Sequence, residues 1–583
     1  MSNVDLLPTS LRRSLLCACL ALLPALPAAA DSPGIRVEGV PGEVRTNIEA
    51  HVDIGFEQCE LPEWRQATIL RQARRETREA LRALGYYEPE LSLSVEHEQD
   101  CWTLVIGVTP GEPVRWRDIR VEVTGEASQD STFRRIMETP GLEPGMPLRH
   151  EDYERLKRTL VQQAGERGYF EAELVTHRMD IDVAAGTADV DLHLESGPRY
   201  RFGPVTFEQD ELSDTLIQRF VRFEPGDHFE QRQLMNLRQA LSGSGYFGDV
   251  RIHAQHEQAE DLRVPVRVEA DSRPRHSFLA GIGYATDIGP RLRLGYENRR
   301  LNRHGHRYQA DIETSPVRTG VGFNYEIPLA DPARERINLS TDFRREDTDT
   351  ALSKRYRLGA AHLRELDTGW MLTRSLEFER EFFTVSEQRD RTDLLMPGVE
   401  LGRARSNDPL YPTRGWRLNG KVRGAHEDLG SSLSMVQFRG RARGILPFLG
   451  GRVLSRLDYG TTSADEVVTL PSSVRFFAGG DHSVRGYGYQ RLGPEDDDGN
   501  VIGGRHLLVG SVEYDYRLFR QWSFAVFVDG GNAFDDYDDY EPAYGYGVGA
   551  RWHSPIGPIR LDVARPDDRR DPFRVHISMG MDL

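Results

Sequence analysis

At 583 residues, with 74 Lys and Arg against 91 Asp and Glu and a formal net charge of −17, the chain is too long for one ordinary domain and lacks the basic surplus of nucleic-acid-binding proteins. A mean hydropathy of −0.54, and the lack of any apolar run of about 18 residues past the amino terminus, exclude membrane-spanning helices. A membrane β-barrel stays open, because its strands alternate and hide their apolar face from a sliding average.

Residues 1–30 have the make-up of a secretory leader: Arg12 and Arg13 flank an apolar stretch over 15–26, and Ala28-Ala29-Ala30 offers a small-residue cleavage site before Asp31. A membrane anchor is the alternative, but the apolar run is short for one. Leu16-Cys17-Ala18-Cys19 is a faint lipidation signal, yet cleavage there would leave almost no apolar region. Loss of the leader leaves Cys59 and Cys101. Two cysteines in an exported domain suggest a disulfide formed in an oxidising compartment and closing a loop of about 42 residues, with two buried free thiols as the alternative.

From Asp31 to about Ser272 the sequence repeats with a period of about 80 residues. Each unit carries a helical apolar spacing, a Gly-Tyr-aromatic triplet and then alternating strands. The spacings are Ile69, Ala73, Ala80, Leu84; then Tyr153, Leu156, Leu160, Ala164; then Leu234, Leu237, Leu241. The triplets are Gly85-Tyr86-Tyr87, Gly168-Tyr169-Phe170 and Gly245-Tyr246-Phe247, whose glycines suit the left-handed position that ends a helix. A period-two strand closes each unit: Leu104, Ile106, Val108; Val190, Leu192, Leu194; Val264, Val266, Val268. The units are placed at 31–113, 114–198 and 199–275, and Ser272-Arg273-Pro274-Arg275 is expected to be a hinge. Small sheets with exposed edges can accept an extended peptide as an added strand, which suits an unfolded client in transit.

Over 276–583 the pattern changes to alternating segments between turns. Leu292, Leu294 and Tyr296 share one face, Tyr308, Ala310 and Ile312 oppose Arg307, Gln309, Asp311 and Glu313, and Val321, Phe323, Tyr325 and Ile327 oppose Gly322, Asn324 and Glu326. One face is apolar and aromatic, the other charged in almost every segment. That suits lipid outside and a wet lumen inside, with every backbone group paired by closure. About 16 segments fit at roughly 19 residues for a strand plus its turn, enough for membrane strands of about 9–11 residues. An even count returns both ends to the periplasmic side. The first strand, 277–286, holds Gly281 and Gly283, which weaken strand packing and make its seam with the last strand the weakest in the barrel. The last strand alternates Phe573, Val575, Ile577, Met579, Met581 and Leu583.

The connection over 463–503 is far longer than the usual loop of a compact domain, and such loops are functional or disordered. It contains the lone Arg485 in Val484-Arg485-Gly486-Tyr487. Exposed, that arginine would be solvated; folded into a lumen, it would need carboxylate partners. Parity supplies two: Glu513 opposes Val512 and Tyr514, and Asp529 opposes Val526 and Val528, so both face the lumen. The acidic turn over 535–541 lacks calcium-loop spacing, and a solvated acidic loop is the simpler reading.

The chemistry of an enzyme is not legible. Gly545-Tyr546-Gly547-Val548-Gly549-Ala550 contains a G-x-G-x-x-A string, but in an alternating strand with no helix after it. Ser244 lacks the glycine that a nucleophile elbow needs, and the 17 histidines show no metal-ligand spacing. No enzyme activity, cofactor or metal is expected.

Val484-Arg485-Gly486-Tyr487, followed by a strand with Gly510-Ser511-Val512-Glu513 and another with Phe527-Val528-Asp529-Gly530-Gly531, resembles the outer-membrane assembly superfamily that includes BamA and TamA. The three repeats resemble POTRA modules, which implies a β-α-α-β-β order in each. The fold implied is therefore three α+β periplasmic modules followed by an all-β, 16-stranded antiparallel barrel in the outer membrane of a Gram-negative bacterium. The resemblance casts Arg485 as the anchor of an inward-folding loop, with Glu513 and Asp529 as counter-charges, and the seam between first and last strands as a lateral gate. The last strand is similar to the carboxy-terminal signal strand of such barrels, with Leu583 in place of the usual phenylalanine. Three modules, rather than the usual five of BamA or two of two-partner secretion transporters, point to the TamA branch. That branch implies assembly of autotransporters and other β-barrel clients without nucleotide hydrolysis, beside a large inner-membrane-anchored TamB-like partner. The alternatives are a BamA-like general insertase, a secretion pore exporting one dedicated substrate, and a passive porin.

Overall fold

The computed structural model describes residues 32–54, 59–60, 62–97, 101–349, 351–386, 388–464, 469–554, 557–567 and 573–579. The leader with its Cys17 and Cys19, and Met581 and Leu583 of the last strand, lie outside them.

Three modules come first. The first runs β1 (Gly34–Glu38), α1 (Gly42–His51), α2 (Glu63–Ala83), β2 (Glu90–His97) and β3 (Trp102–Thr109). The second runs β4 (Arg115–Thr124), α3 (Ser131–Glu138), α4 (His150–Glu166), β5 (Glu173–Asp182) and β6 (Thr187–Glu195). The third runs β7 (Arg201–Glu208), α5 (Asp214–Ile217), α6 (Gln231–Gly243), β8 (Phe247–Ala254) and β9 (Arg263–Ser272). In each sheet the last strand lies in the middle: β1-β3-β2, β4-β6-β5 and β7-β9-β8. This placement explains why the closing strands alternate so cleanly. Leu104, Ile106, Leu192, Leu194, Val264, Val266 and Val268 are all buried, since a central strand has one whole face under the helices. It also leaves β2, β5 and β8 as edges.

The triplets join module to module. Gly85, Gly168 and Gly245 have φ of +89°, +86° and +82°, and Tyr86 N–H closes the end of α2 onto Leu81 O at 3.0 Å as Tyr169 N–H does for α4 onto Ala164 O at 2.9 Å. The Gly85 carbonyl then accepts from Val114 N, and that of Gly168 from Tyr200 N, each the start of the next module. A Cβ on Gly85 would lie 2.6 Å from Leu148 O. The glycine therefore serves both the helix end and the close approach of the next module.

Cys59 and Cys101 are bonded, 42 residues apart, and Cys101 packs on the first module's core. Closing a loop of that size contributes about 3–4 kcal/mol in the chain-entropy view. Reduction of the full-length protein is expected to expose the first module to protease while the barrel keeps its heat-modifiable gel mobility; equal protease resistance before and after reduction would show that the bond adds little.

Residues 204–224, 232–255 and 265–583 form a second compact unit, so most of the third module belongs with the barrel. Tyr246 Oη donates to Gly305 O at 2.5 Å, Arg307 Nη1 to Ser244 O at 2.9 Å, and Arg222 pairs with Asp331 at 2.9 Å. The expected hinge at 272–275 is accordingly corrected. Arg273 N–H donates to Tyr246 O, Arg300 Nη2 to Arg273 O, and Arg299 N–H to Arg275 O, so this stretch is pinned on both sides. Composition marked a breaker, but the partners that fix it are distant in sequence, Tyr246 before β8 on one side and Arg299 and Arg300 after β11 on the other.

The barrel has sixteen strands: β10 (His276–Ala285), β11 (Gly289–Asn298), β12 (Arg307–Thr314), β13 (Arg318–Pro328), β14 (Glu335–Asp347), β15 (Ala351–Glu365), β16 (Met371–Val385), β17 (Gln388–Ser406), β18 (Gly415–Ala425), β19 (Met435–Phe448), β20 (Gly451–Ala464), β21 (His506–Phe519), β22 (Trp522–Phe534), β23 (Ala543–Ser554), β24 (Gly557–Pro566) and β25 (Arg574–Met579). They pair antiparallel in sequence order from β10 to β25. Its apolar groups point out. Val512, Val526, Val528, Tyr546, Val548, Leu561 and Val563 are exposed, while Glu513, Asp515, Asp529, Arg551 and Asp562 are buried. A water-soluble fold would reverse this arrangement, which belongs in lipid.

The two ends of the sheet differ from every other neighbouring pair. Among the described residues no ladder joins β10 to β25. Ile577 N–H donates instead to the Thr286 hydroxyl at 2.8 Å. Phe278 and Ile282 on β10 are 79% and 89% exposed. Gly281 and Gly283 lie on β10 opposite Arg293 and Arg291, and a Cβ on Gly281 would touch nothing within 4 Å. On β25 Val575, Ile577 and Met579 alternate with the inward His576 and Ser578, and Phe573 precedes the strand fully outward.

Candidate functional site

The long connection runs over 465–505, two residues later at each end than the expected 463–503, because Thr462–Ala464 stay paired to β19. From Thr469 on it folds back into the barrel. Phe476 and Gly504 exchange backbone hydrogen bonds at 2.8 and 2.9 Å, and Ala478 and Leu492 at 2.8 and 3.0 Å. Phe476, Ala478, Val484 and Tyr487 pack on Leu507, Val509 and Ala533 of the wall. Ser472 and Ser473 donate to Glu381 and Glu379 of β16 at 2.6 and 2.8 Å. These ties hold the loop from Thr469 on against the barrel wall.

Arg485 sits at its tip, 6% exposed. Its Nε and Nη2 donate to the two oxygens of Asp529 at 2.7 and 2.9 Å, and its backbone N–H adds a third bond to that carboxylate at 3.0 Å. Nη1 donates to Glu513 at 2.8 Å and to Asp562 of β24 at 3.0 Å. The guanidinium also lies over the Phe527 ring, 3.3 Å from its centroid. Burial alone would lower the pKa of Arg485, but its bonds to Asp529 and the charges of Asp529, Glu513 and Asp562 outweigh that and raise it. The group is a permanent cation held by geometry as well as charge.

Four of these five bonds go to Asp529 and Glu513, the carboxylates that alternation had placed on the lumenal face. Others were not foreseen. Asp562 carries the same signal as Glu513 and Asp529, an acid between the apolar Leu561 and Val563. Arg551 on β23 gives no such signal, since inward arginines recur along the barrel, yet it bridges Glu513 at 2.9 Å and bonds Asp562, so two cations share three carboxylates. Ser511 donates to Asp529 at 2.6 Å.

The motif glycines are space for the loop. Gly486 has φ of +100°, and its Cβ would meet Pro566 N at 2.9 Å. Cβ atoms on Gly545 and Gly549 would lie 1.8 Å from Arg485 O and 1.9 Å from Asp562 Oδ1. The string that mimics a dinucleotide fingerprint is thus a row of inward glycines, of which Gly545 makes room for the loop tip and Gly549 for Asp562. Gly531, with φ of +147°, leaves no room for a side chain beside Leu508 O. Tyr487 donates to Asp567, and Gly486 N–H to His576 Nε2 at 2.9 Å. The acidic turn 535–541 is exposed at Asp536–Asp539, while Asp535 accepts from Arg505 N at 3.0 Å.

Comparison with known proteins agrees with this arrangement. Residues 283–582 match the Omp85 superfamily domain, residues 34–110 the family described as POTRA domain TamA domain 1, and residues 117–197 and 200–272 the surface antigen variable number repeat, a POTRA family. The chain is 21% identical to the outer membrane protein assembly factor BamA of Neisseria meningitidis serogroup B, over 85% of this chain and 70% of that one. It is 23% identical to BamA of Nitratidesulfovibrio vulgaris over 63% of this chain and 49% of that one. The crystal structure of BamA from Haemophilus ducreyi lacking POTRA domains 1–3 superposes with a TM-score of 0.64 at 16% identity, covering 79% of this chain and 98% of that one. With the lumenal loop, sixteen outward-apolar strands and three repeated modules, the chain belongs to the Omp85 superfamily, as an outer-membrane β-barrel carrying three periplasmic POTRA domains.

Proposed function

We propose that this protein assembles other outer-membrane β-barrels, autotransporters among them, as a TamA-type factor that captures unfolded clients on POTRA edges and passes them into the membrane through the β10–β25 seam. The observation that carries this reading is the seam itself: among the described residues β10 keeps one unpaired edge, and Thr286 just past it accepts from Ile577 N–H of β25 where a ladder would otherwise run. An unpaired edge is a template for an incoming strand. The client's own strand pairing and apolar burial drive the step, without nucleotide hydrolysis or bond chemistry. The match of the first module to a TamA domain and the count of three modules favour this branch and, with it, a TamB-like inner-membrane-anchored partner. The BamA relatives favour a general insertase as the second reading.

Tyr284 and Met579 face outward on the two seam strands. Cysteines at both positions, joined by a short bifunctional reagent, are expected to abolish client insertion while the barrel stays folded; undiminished insertion rejects the seam. Depletion in cells separates the readings further. Loss of several autotransporters and barrels supports assembly, and loss of one secreted protein indicates a dedicated pore.

A further inference from the structure

Where the seam lacks a ladder, the lumenal loop reaches both of its sides. Asp287, on the turn between β10 and β11, accepts from Asp481 N–H of the loop at 2.8 Å. Asp481 Oδ1 accepts from His576 Nδ1 of β25 at 2.5 Å, and Gly486 N–H of the loop donates to His576 Nε2 at 2.9 Å. A chain of hydrogen bonds therefore runs from the first hairpin through the loop to the last strand.

The protonation of this chain follows from its donors. A backbone N–H is always a donor, so Nε2 of His576 is an acceptor and the ring proton is on Nδ1, directed at Asp481. A metal ion on Nδ1 would have to displace that proton and turn an Nε2–H against the Gly486 N–H, which disfavours a metal centre. The second oxygen of Asp481 is buried without a hydrogen-bond partner. One oxygen each of Asp287 and Asp481 and a ring nitrogen of His576 lie within 4.8 Å of one another. A proton on Asp287 satisfies the orphaned oxygen, and without it two carboxylates face each other in a closed space.

We propose that Asp287, Asp481 and His576 form a protonation-gated clasp that holds the seam closed through the lumenal loop. The inference rests on the seam being the route for clients, but it concerns how the seam is held. Burial, and then the neighbouring Asp481 charge, raise the Asp287 pKa from its ordinary 3.8 to about 7. Beyond Asp481 and His576, Asp287 lines a cavity in the barrel with His482 and Tyr489 of the loop, Arg318 of β13 and Arg344 and Glu346 of β14 among its titratable groups, and further arginines and a lysine on β15, β18 and β19. Arg318 pairs with Glu346 at 3.1 Å and Tyr489 donates to Glu346 at 3.0 Å, so the Arg318 and Glu346 charges offset each other. The sign follows from linkage: the clasped state binds the proton more tightly than the open one. The clasp is therefore strongest below the ordinary carboxylate range and weakens as pH rises through about 7.

The test uses the full chain in lipid vesicles, with spin labels on cysteines introduced at Tyr284 and Met579; Cys59 and Cys101 are bonded to each other. Wild-type background is expected to give one short label distance at pH 6 and a population longer by about 5 Å or more, one strand width, at pH 9. D287N offers Asp481 a neutral donor and is expected to stay short at both values. H576A removes the last-strand end of the clasp and is expected to stay long at both. Heat-modifiable mobility checks folding, and should H576A not fold, D287N decides alone. An unchanged wild-type distance between pH 6 and 9, or a D287N distance that still follows pH, overturns the clasp. The readout needs no client, so failure of an insertion assay counts against the proposed function and leaves this inference standing.

Discussion

Arg485→Ala will release the lumenal loop. The substitution leaves Asp529, Glu513 and Asp562 buried together, and breaking a buried ion pair from one side costs about 3–5 kcal/mol. The loss is uneven: Glu513 and Asp562 keep a bonded cation in Arg551, whereas among the described residues Asp529 keeps its bonds to Ser511 and to the backbone of residue 485, with the Arg456 charge nearby. The loop is expected to become cleavable by protease added outside, single-channel conductance to rise, and client assembly to fall by about tenfold or more, since each 1.4 kcal/mol is a factor of ten. Asp529→Ala is expected to match it, because Asp529 takes three of the five bonds that Arg485 makes to carboxylates. Arg485→Lys keeps a charge but loses the fork, and is expected to be intermediate. A protease-resistant loop and unchanged conductance in both alanine variants would remove the ion cluster from the account.

The second large effect requires no change of charge. Gly545→Ala places a methyl where the Arg485 carbonyl now lies, 1.8 Å from it. The β23 backbone is held by ladders to β22 and β24, so the loop must give way. The same protease sensitivity and loss of assembly as in Arg485→Ala are expected, with normal heat-modifiable mobility. Tyr546→Ala on the outward side of the same strand serves as control and is expected to leave the loop in place. Full activity of Gly545→Ala would show that the loop tip does not rest on β23.

The alternation of small and charged residues against large apolar ones along 276–583 was enough to establish an inside and an outside, because strand geometry has a period of two whatever the partner. The helical spacings and triplets likewise exposed three modules. Legibility stopped where long-range pairing begins. Nothing local to Arg551, His576 or Asp287 distinguishes them from the many other charged lumenal residues, and their roles come from partners 11 to 194 residues away. The 272–275 stretch shows the same limit, since a breaker composition says nothing about what pins it.

Sequence alone therefore determined the module count, the barrel and the lumenal side of Glu513 and Asp529, each a property of local periodicity. Tertiary structure decided which carboxylates share the guanidinium, why Gly545 of β23 has no side chain, and that among the described residues no ladder joins β10 to β25. Those depend on which distant strands closure brings together, and a one-dimensional pattern carries no information about that distance.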